Sequence, residues 1–319
     1  MTTPPVLTDS DAFRAALAAA VSDLGIEQPI VGLVPTMGAL HSGHAALVDA
    51  ARAESDLVIA SIFVNPLQFN DAADYAAYPR SMADDVALLA AHGVDLVFAP
   101  DVQHMYPGYP DGPLIRVSAG ELGRRWEGAS RPGHFDGVVT VVAKLFSIMA
   151  PPAPARLQAW FGEKDAEQVA IVSRLTRDLS LPAEIRALPT VRDDGGLALS
   201  SRNQRLSEAQ LDDARAISRT LSALRSRARE GLPLELDRLR AELAEAPGVE
   251  LDYLVLVDPS TLREVSPHDV LTAEGVFHGV PGSVPGGVSG GVPSGGALAL
   301  AAAQVGPVRL IDNMPIPAA

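Results

Sequence analysis

The chain has 319 residues, 47% hydrophobic and 20% charged, a composition that buries a core and excludes disorder over most of the length. Its 39 acidic and 25 basic residues leave a formal charge of -14, which repels phosphate backbones and argues against a nucleic-acid partner. There is no cysteine, so disulfides, thiolate metal sites and a cysteine nucleophile are excluded. A local basic pocket can still take a small anion. No run approaches the roughly 20 apolar residues of a membrane span, and the first eleven residues lack the pattern of a secretory leader. A cytoplasmic address without a membrane partner is expected.

Only two lysines, Lys144 and Lys164, stand against 23 arginines. In so arginine-rich a chain, a retained lysine points to a place where a compact ammonium is needed and a planar guanidinium does not serve.

Taken in chain order, Asp11–Leu24 predicts a helix with Ser10 as its N-cap. Ile30–Val34 reads as a buried strand stopped by Pro35, and His44–Glu54 has helical spacing. Leu57–Val64 predicts a second buried strand, Ser81–His92 a helix, and Val94–Ala99 a third strand. Gly137–Met149 is an apolar helix, Arg156–Phe161 a strand, Ala166–Asp178 a helix and Pro182–Leu188 a strand. This alternation predicts a parallel α/β sheet, in which ligands sit beyond the carboxyl ends of the strands. After Pro189 the character changes. Two helices are expected, Glu208–Glu230 and Glu235–Glu245, with short strands near Tyr253–Val257 and Ala297–Ala302. We place a domain boundary there, giving a Rossmann-like domain at 1–188 and a smaller α+β domain at 189–319. Within the latter, Gly279–Gly296 is 18 residues of Gly, Pro, Val and Ser only, a composition expected to form a flexible loop.

Four segments carry chemistry. Pro35–His44 (PTMGALHSGH) lies between a strand and a helix, where backbone N–H groups and the helix dipole favour an anion. Gly38 and Gly43 permit close approach of a ligand, and His41 and His44, three apart, fall on one side of a first helical turn. A zinc pair is an alternative, but no third ligand is placed; ordinary helix-start histidines are another. Gly162–Glu163–Lys164–Asp165 follows a strand and holds one of the two lysines, which can meet phosphate oxygens or merely cap a solvated helix start. Leu199–Ser200–Ser201–Arg202–Asn203 combines hydroxyls with a cation, either a mobile phosphate clamp or a simple capping turn. Phe63–Phe69 (FVNPLQF) places Asn65 and Gln68 among apolar walls, which suits a small polar acid or a rigid turn.

A His-x-Gly-His turn after the first strand with a later Ser-Ser-Arg resembles the nucleotidyltransferase superfamily. PTMGALHSGH, FVNPLQF, YPR, EGASRPGHFDGVVTVVAKLF, FGEKD, LPTVR, GLALSSRN and a final RLIDN together resemble the pantothenate synthetase (pantoate–β-alanine ligase) family. The resemblance implies an ATP-dependent condensation of pantoate with β-alanine through a pantoyl-adenylate, with Mg2+, in a cytoplasmic homodimer. It implies ATP binding by Met37, Gly38, Ala39, Leu40, His41, Ser42, Gly43 and His44, by Gly162, Glu163, Lys164 and Asp165, and by Val191, Leu199, Ser200, Ser201 and Arg202. Among these, His44, His41, Lys164, Ser200, Ser201 and Arg202 would be catalytic. Asn65, Gln68 and Gln168 would bind pantoate or β-alanine, and no resident metal site is expected. The chain departs from the family at Ala166–Glu167, where Tyr-Gln is common, at Ser42, where an acid is common, and at Asn70, where Gly is common. A transferase acting on a phosphorylated alcohol would want more basic residues than FVNPLQF supplies. A nucleotide sensor that had lost turnover would have no reason to retain both histidines, Lys164 and Arg202.

Overall fold

A computed structural model describes residues 3–272 and 296–318 of the chain. In order, the elements are β1 (Val6–Leu7), α1 (Ser10–Asp23), β2 (Ile30–Thr36), α2 (Ser42–Glu54), β3 (Leu57–Ile62), α3 (Ala72–Ala77), α4 (Met82–Ala91) and β4 (Leu96–Phe98). They continue with α5 (Val102–Met105), α6 (Glu127–Ser130), α7 (His134–Ile148), β5 (Arg156–Gly162), α8 (Ala166–Asp178) and β6 (Ala183–Leu188). Then follow α9 (Glu208–Arg229), α10 (Leu236–Ala244), β7 (Val249–Val257), α11 (Pro267–Thr272), β8 (Ala297–Val305) and β9 (Val308–Ile316). The predicted loop at Gly279–Gly296 lies outside the described residues, apart from Gly296.

Two compact units result: Met1–Phe161 with Ile171–Leu188, and Gly162–Ala170 with Pro189–Ala319. The first holds a six-stranded sheet in the order β1-β4-β3-β2-β5-β6. Strand β2 lies parallel to β3 on one side and to β5 on the other. Chain order therefore reverses between β2 and β5, the kind of switch point at which α/β sheets bind ligands. Every residue of β3 is buried, as expected for a strand covered on both faces. One covering layer packs Val48 and Ala51 of α2 and Leu89 of α4 on Val34, Val58, Ala60, Ile62 and Val97. The α/β expectation holds, with small shifts of boundary. β2 runs on through Pro35, because the register carries Pro35 opposite Ser61 and Thr36 opposite Ile62. Asp9, not Ser10, caps α1, its carboxylate accepting from the amides of Asp11 and Ala12.

In the second unit β7, β8 and β9 form an antiparallel sheet in that order. Ala297, Ala299, Ala301 and Ala303 of β8 share a core with Ile217, Leu221 and Leu224 of α9 and Leu239 and Leu243 of α10. Strand β9 was not expected: its Asp312, Asn313 and Pro315 break the apolar pattern of a strand. It nevertheless pairs with β8 along its whole length. Among the described residues no helix is long and apolar enough to cross a membrane.

Candidate active site

The turn leaving β2 is held by its own side chains. Thr36 Oγ1 donates to the Ser61 carbonyl at 2.7 Å, and the Phe63 amide donates to the Thr36 carbonyl at 3.1 Å. The segments after β2 and β3 thus start side by side. Asp85 of α4, only 3% exposed, accepts from the amides of Ala39 at 3.0 Å and Leu40 at 2.8 Å. Ala39 sits at φ 51°, a left-handed conformation that an alanine holds only when its surroundings fix it.

His41 is the N-cap of α2. Its Nδ1 accepts from the Gly43 amide at 3.1 Å, while His44 Nδ1 accepts from the His41 amide at 3.3 Å, a reciprocal capping box built from two imidazoles. The ring centroids are 4.2 Å apart. An Nδ1 that accepts an amide proton places the ring proton on Nε2 when the imidazole is neutral. Each ring therefore carries an N–H donor on its other edge.

The amides and glycines of this turn have close neighbours within the chain. The amides at 39, 40, 41 and 43 are engaged by Asp85, His44 and His41, so that row of backbone donors is already used within the chain. Nor do the glycines make room for a ligand alone: a Cβ on Gly38 would meet Asp85 Oδ2 at 2.9 Å, and one on Gly43 would meet His41 Cε1 at 2.9 Å. The capping reading and the anion reading of the histidines are both compatible with this geometry, since they use opposite edges of the rings. Met37 is half-buried and Ser42 exposed on the same turn. Asp85 left no sequence signal, being 45 residues from Leu40. Asp85→Asn puts an amide donor opposite one of these N–H groups. It is expected to raise the KM for ATP several-fold with little change in the KM for pantoate, as read from initial rates.

Beyond β3, Asn65 is 1% exposed and Gln68 8%. Asn65 Nδ2 donates to Gln68 Oε1 at 2.9 Å and to the Gly137 carbonyl at 3.0 Å; its Oδ1 accepts from the Leu67 amide at 3.3 Å and the Tyr106 hydroxyl at 3.0 Å. The carbonyl can only accept and the amide only donate, so the orientation of the Asn65 side chain is determined, and its four hydrogen-bonding places are filled. Asn65, expected to touch substrate, holds Gln68 by this hydrogen bond. It occupies Oε1 and so turns the Nε2 donors of Gln68 away from itself. Burial pushes the Tyr106 phenol up, which keeps the proton it donates. Lys144, the first of the two lysines, lies 5.7 Å from the centre of the Tyr106 ring, a cation–π contact. Buried His134, which was not singled out, places Nδ1 2.8 Å from the Gln68 carbonyl and so braces this segment from α7.

In the second unit, Glu163–Asp165 forms one 3-10 turn leading into α8. Lys164 Nζ is 3.5 Å from Asp165 Oδ1, and burial pushes the Glu163 carboxyl up to about 7. Gln168 lies half-buried in the first turn of α8. Val191 and Leu199 are paired, the Leu199 amide donating to the Val191 carbonyl at 2.9 Å, and Arg192 bridges Ala198. Val191–Leu199, which leads into the Leu199–Asn203 segment, is therefore a small hairpin. Its turn is closed by the Leu197 amide on Asp193 Oδ1 at 2.8 Å. Ser200 then caps a 3-10 helix, Ser201–Arg205, by accepting from the Arg202 amide at 3.3 Å; Arg202 is exposed.

Hairpin and lysine turn share one anchor. Arg192 donates to both oxygens of Asp312, at 2.7 and 2.9 Å, and to the carbonyls of Asn313 and Gly196. Asn313 Nδ2 donates to the carbonyls of Glu163 at 2.7 Å and Lys164 at 2.8 Å. The RLIDN motif at the end of the family resemblance thus has a structural use that its sequence did not reveal.

A parallel sheet whose central strand runs into a His-x-Gly-His turn is the arrangement of the HxGH nucleotidyltransferases. A sequence model of the Pantoate-beta-alanine ligase family matches residues 6–315. The chain belongs to that family. It is 51% identical to the pantothenate synthetase of Paenarthrobacter aurescens over 291 residues, covering 89% of this chain and 92% of that protein. It is likewise 51% identical to that of Corynebacterium efficiens over 299 residues, covering 92% and 94%. Among solved structures, the pantothenate synthetase of Thermus thermophilus matches with a TM-score of 0.78 at 40% identity, covering 98% of this chain and 99% of that one. The pantoate-beta-alanine ligase of Francisella tularensis, complexed with beta-gamma ATP and beta-alanine, matches at 0.70 and 31% identity, covering 98% and 97%.

Proposed function

We propose that this chain condenses pantoate with β-alanine at the expense of ATP, giving pantothenate, AMP and pyrophosphate. The observation that carries this reading is the reciprocal imidazole cap on the turn leaving β2, in a chain that belongs to this family. A carboxylate is a poor electrophile towards an amine. In the first step an oxygen of the pantoate carboxylate attacks the α-phosphorus of ATP, the bond to the β-phosphate bridge breaks, and pyrophosphate leaves with its electrons. In the second, the neutral amine of β-alanine attacks the acyl carbon of pantoyl-adenylate, AMP departs, and the amine loses a proton. Neither step needs a protein nucleophile, in keeping with a chain without cysteine. Catalysis is then positioning and the neutralising of phosphate charge.

In this reading His44 and His41 donate from Nε2 to phosphate oxygens, with Met37–Gly43 around the nucleotide. Lys164 and Arg202 oppose the charge of the triphosphate, and Ser200 and Ser201 add hydroxyl donors. Gly162, Glu163, Asp165, Val191 and Leu199 complete the ATP contacts. Burial raises the Glu163 carboxyl to about 7, which favours its neutral form and lessens its repulsion of the nucleotide. Gln68, Gln168 and Asn65 hold pantoate or β-alanine, Asn65 also fixing the Gln68 side chain. Among the described residues no group of three or more His, Asp or Glu side chains could hold a metal ion. Magnesium enters as part of the ATP substrate, bound to its phosphates. A domain division at residue 188, with the second domain as lid, a homodimer and a cytoplasmic address belong to the same reading by family likeness.

A two-stage assay tests it. Pyrophosphate should appear only when pantoate is added to ATP, and AMP and pantothenate only after β-alanine follows. Pyrophosphate release with a phosphorylated alcohol in place of pantoate, or none with any acid, would overturn the assignment.

A further inference from the structure

We infer that Asn313 is a positioning residue for Lys164: it fixes the backbone of the lysine turn, and through it the ammonium, for the adenylation step. The inference rests on the reading that Lys164 serves ATP. Lys164 is carried by a single 3-10 turn of three residues, too short to stabilise itself by its own hydrogen bonds. Asn313 supplies what the turn lacks. Its side-chain nitrogen has two hydrogens, and two successive carbonyls, those of Glu163 and Lys164, receive them at 2.7 and 2.8 Å.

Asn313 is in turn held rigidly. It lies in β9, opposite Leu300 of β8, and is 4% exposed. Its amide donates to Asp312 Oδ1 at 2.8 Å, and its carbonyl accepts from Arg192 at 3.1 Å. A buried strand position with its main chain fastened on both sides is a firm support for a loop whose side chain must meet a phosphate within a few tenths of an ångström. The side chain of Lys164 is itself largely covered, with 25% of it exposed, so a displaced backbone cannot be corrected by a swing of the long stem.

The test is a double-mutant cycle on pantoate-dependent pyrophosphate release in single turnovers, using wild type, Asn313→Ala, Lys164→Ala and the double variant. Asn313→Ala should slow this step roughly tenfold, as expected for two lost hydrogen bonds. It should leave unchanged the release of AMP when β-alanine meets preformed pantoyl-adenylate. In the Lys164→Ala background the same change should have no further effect, because its target is already gone. Asn313→Asp keeps the volume but sets carboxylate oxygens against two carbonyls, so it should be slower than Asn313→Ala.

Equal slowing in both backgrounds, or equal slowing of both steps, would overturn the positioning role alone. A Lys164→Ala enzyme with wild-type pyrophosphate release would instead overturn the reading of Lys164, and this inference with it. Circular dichroism shows whether each variant folds. Failure of both the Ala and the Asp variants to fold would mean that Asn313 holds the unit as a whole, and would also overturn the proposal.

Discussion

Replacement of Lys164 by alanine should lower the rate of pyrophosphate release by about two to three orders of magnitude, close to 3–4 kcal/mol of transition-state stabilisation. The triphosphate gains charge on its leaving pyrophosphate as the bond to the α-phosphorus breaks. An ammonium held where that charge develops stabilises the transition state more than bound ATP. Composition and geometry agree on why a lysine stands here. Arginine outnumbers lysine 23 to 2, yet this turn kept a lysine. Its ammonium sits 3.5 Å from Asp165 Oδ1 on a largely covered stem. Lys164→Arg should rescue little, because a planar fork needs a wider and differently shaped space than a compact ammonium. His44→Ala should cost a similar factor and also remove one half of the capping box, so His44→Gln is the cleaner comparison. Single-turnover measurement with saturating ATP and pantoate separates this chemistry from product release. Wild-type rates in both alanine variants would show that the charge is met elsewhere.

Removing the Asp312 carboxylate should be the most damaging single change to stability among the ion pairs described. Asp312 is 5% exposed and Arg192 21%, and the two form a bidentate pair. Taking away one partner leaves a guanidinium poorly solvated and uncompensated, a cost of about 3–5 kcal/mol. For a protein of this size that corresponds to a fall in Tm of roughly 4 to 8 °C. Asp11→Ala, which breaks an exposed pair with Arg14, should move Tm by no more than about 2 °C and serves as the control. Replacing both partners by apolar residues of similar size should recover much of the loss, since the pair's net worth over a hydrophobic contact is small. A fall for Asp312→Ala no larger than that of the control would contradict this account.

The sequence made legible whatever depends on neighbours along the chain. Buried runs such as Leu57–Val64 declared strands, observed there as Leu57–Ile62, and the spacing of His41 and His44 placed both rings on one turn. Both were read from within ten residues of themselves. What stayed hidden depends on partners far away. Asp85 reaches the turn from another helix, and its carboxylate looks like any other acid in Ala83–Asp84–Asp85. Asn65 read as a substrate ligand because its motif is polar. Only the Gly137 carbonyl, 72 residues on, and Tyr106, 41 residues on, reveal that its bonds are used internally. Strand β9 escaped because its Asp312 and Asn313 look like loop residues. They are polar for the reason just given, to hold other segments by their side chains while the backbone stays in the sheet.

The shared anchor also has a consequence in time. A ribosome making roughly 5–20 residues per second reaches Asp312 about 6 to 24 s after Arg192, 120 positions earlier. Throughout that interval the growing chain can complete its parallel sheet, while the hairpin and the lysine turn still lack the residues that fasten them. The order of synthesis thus lets the parallel sheet form well before the chain can be competent to spend a nucleotide.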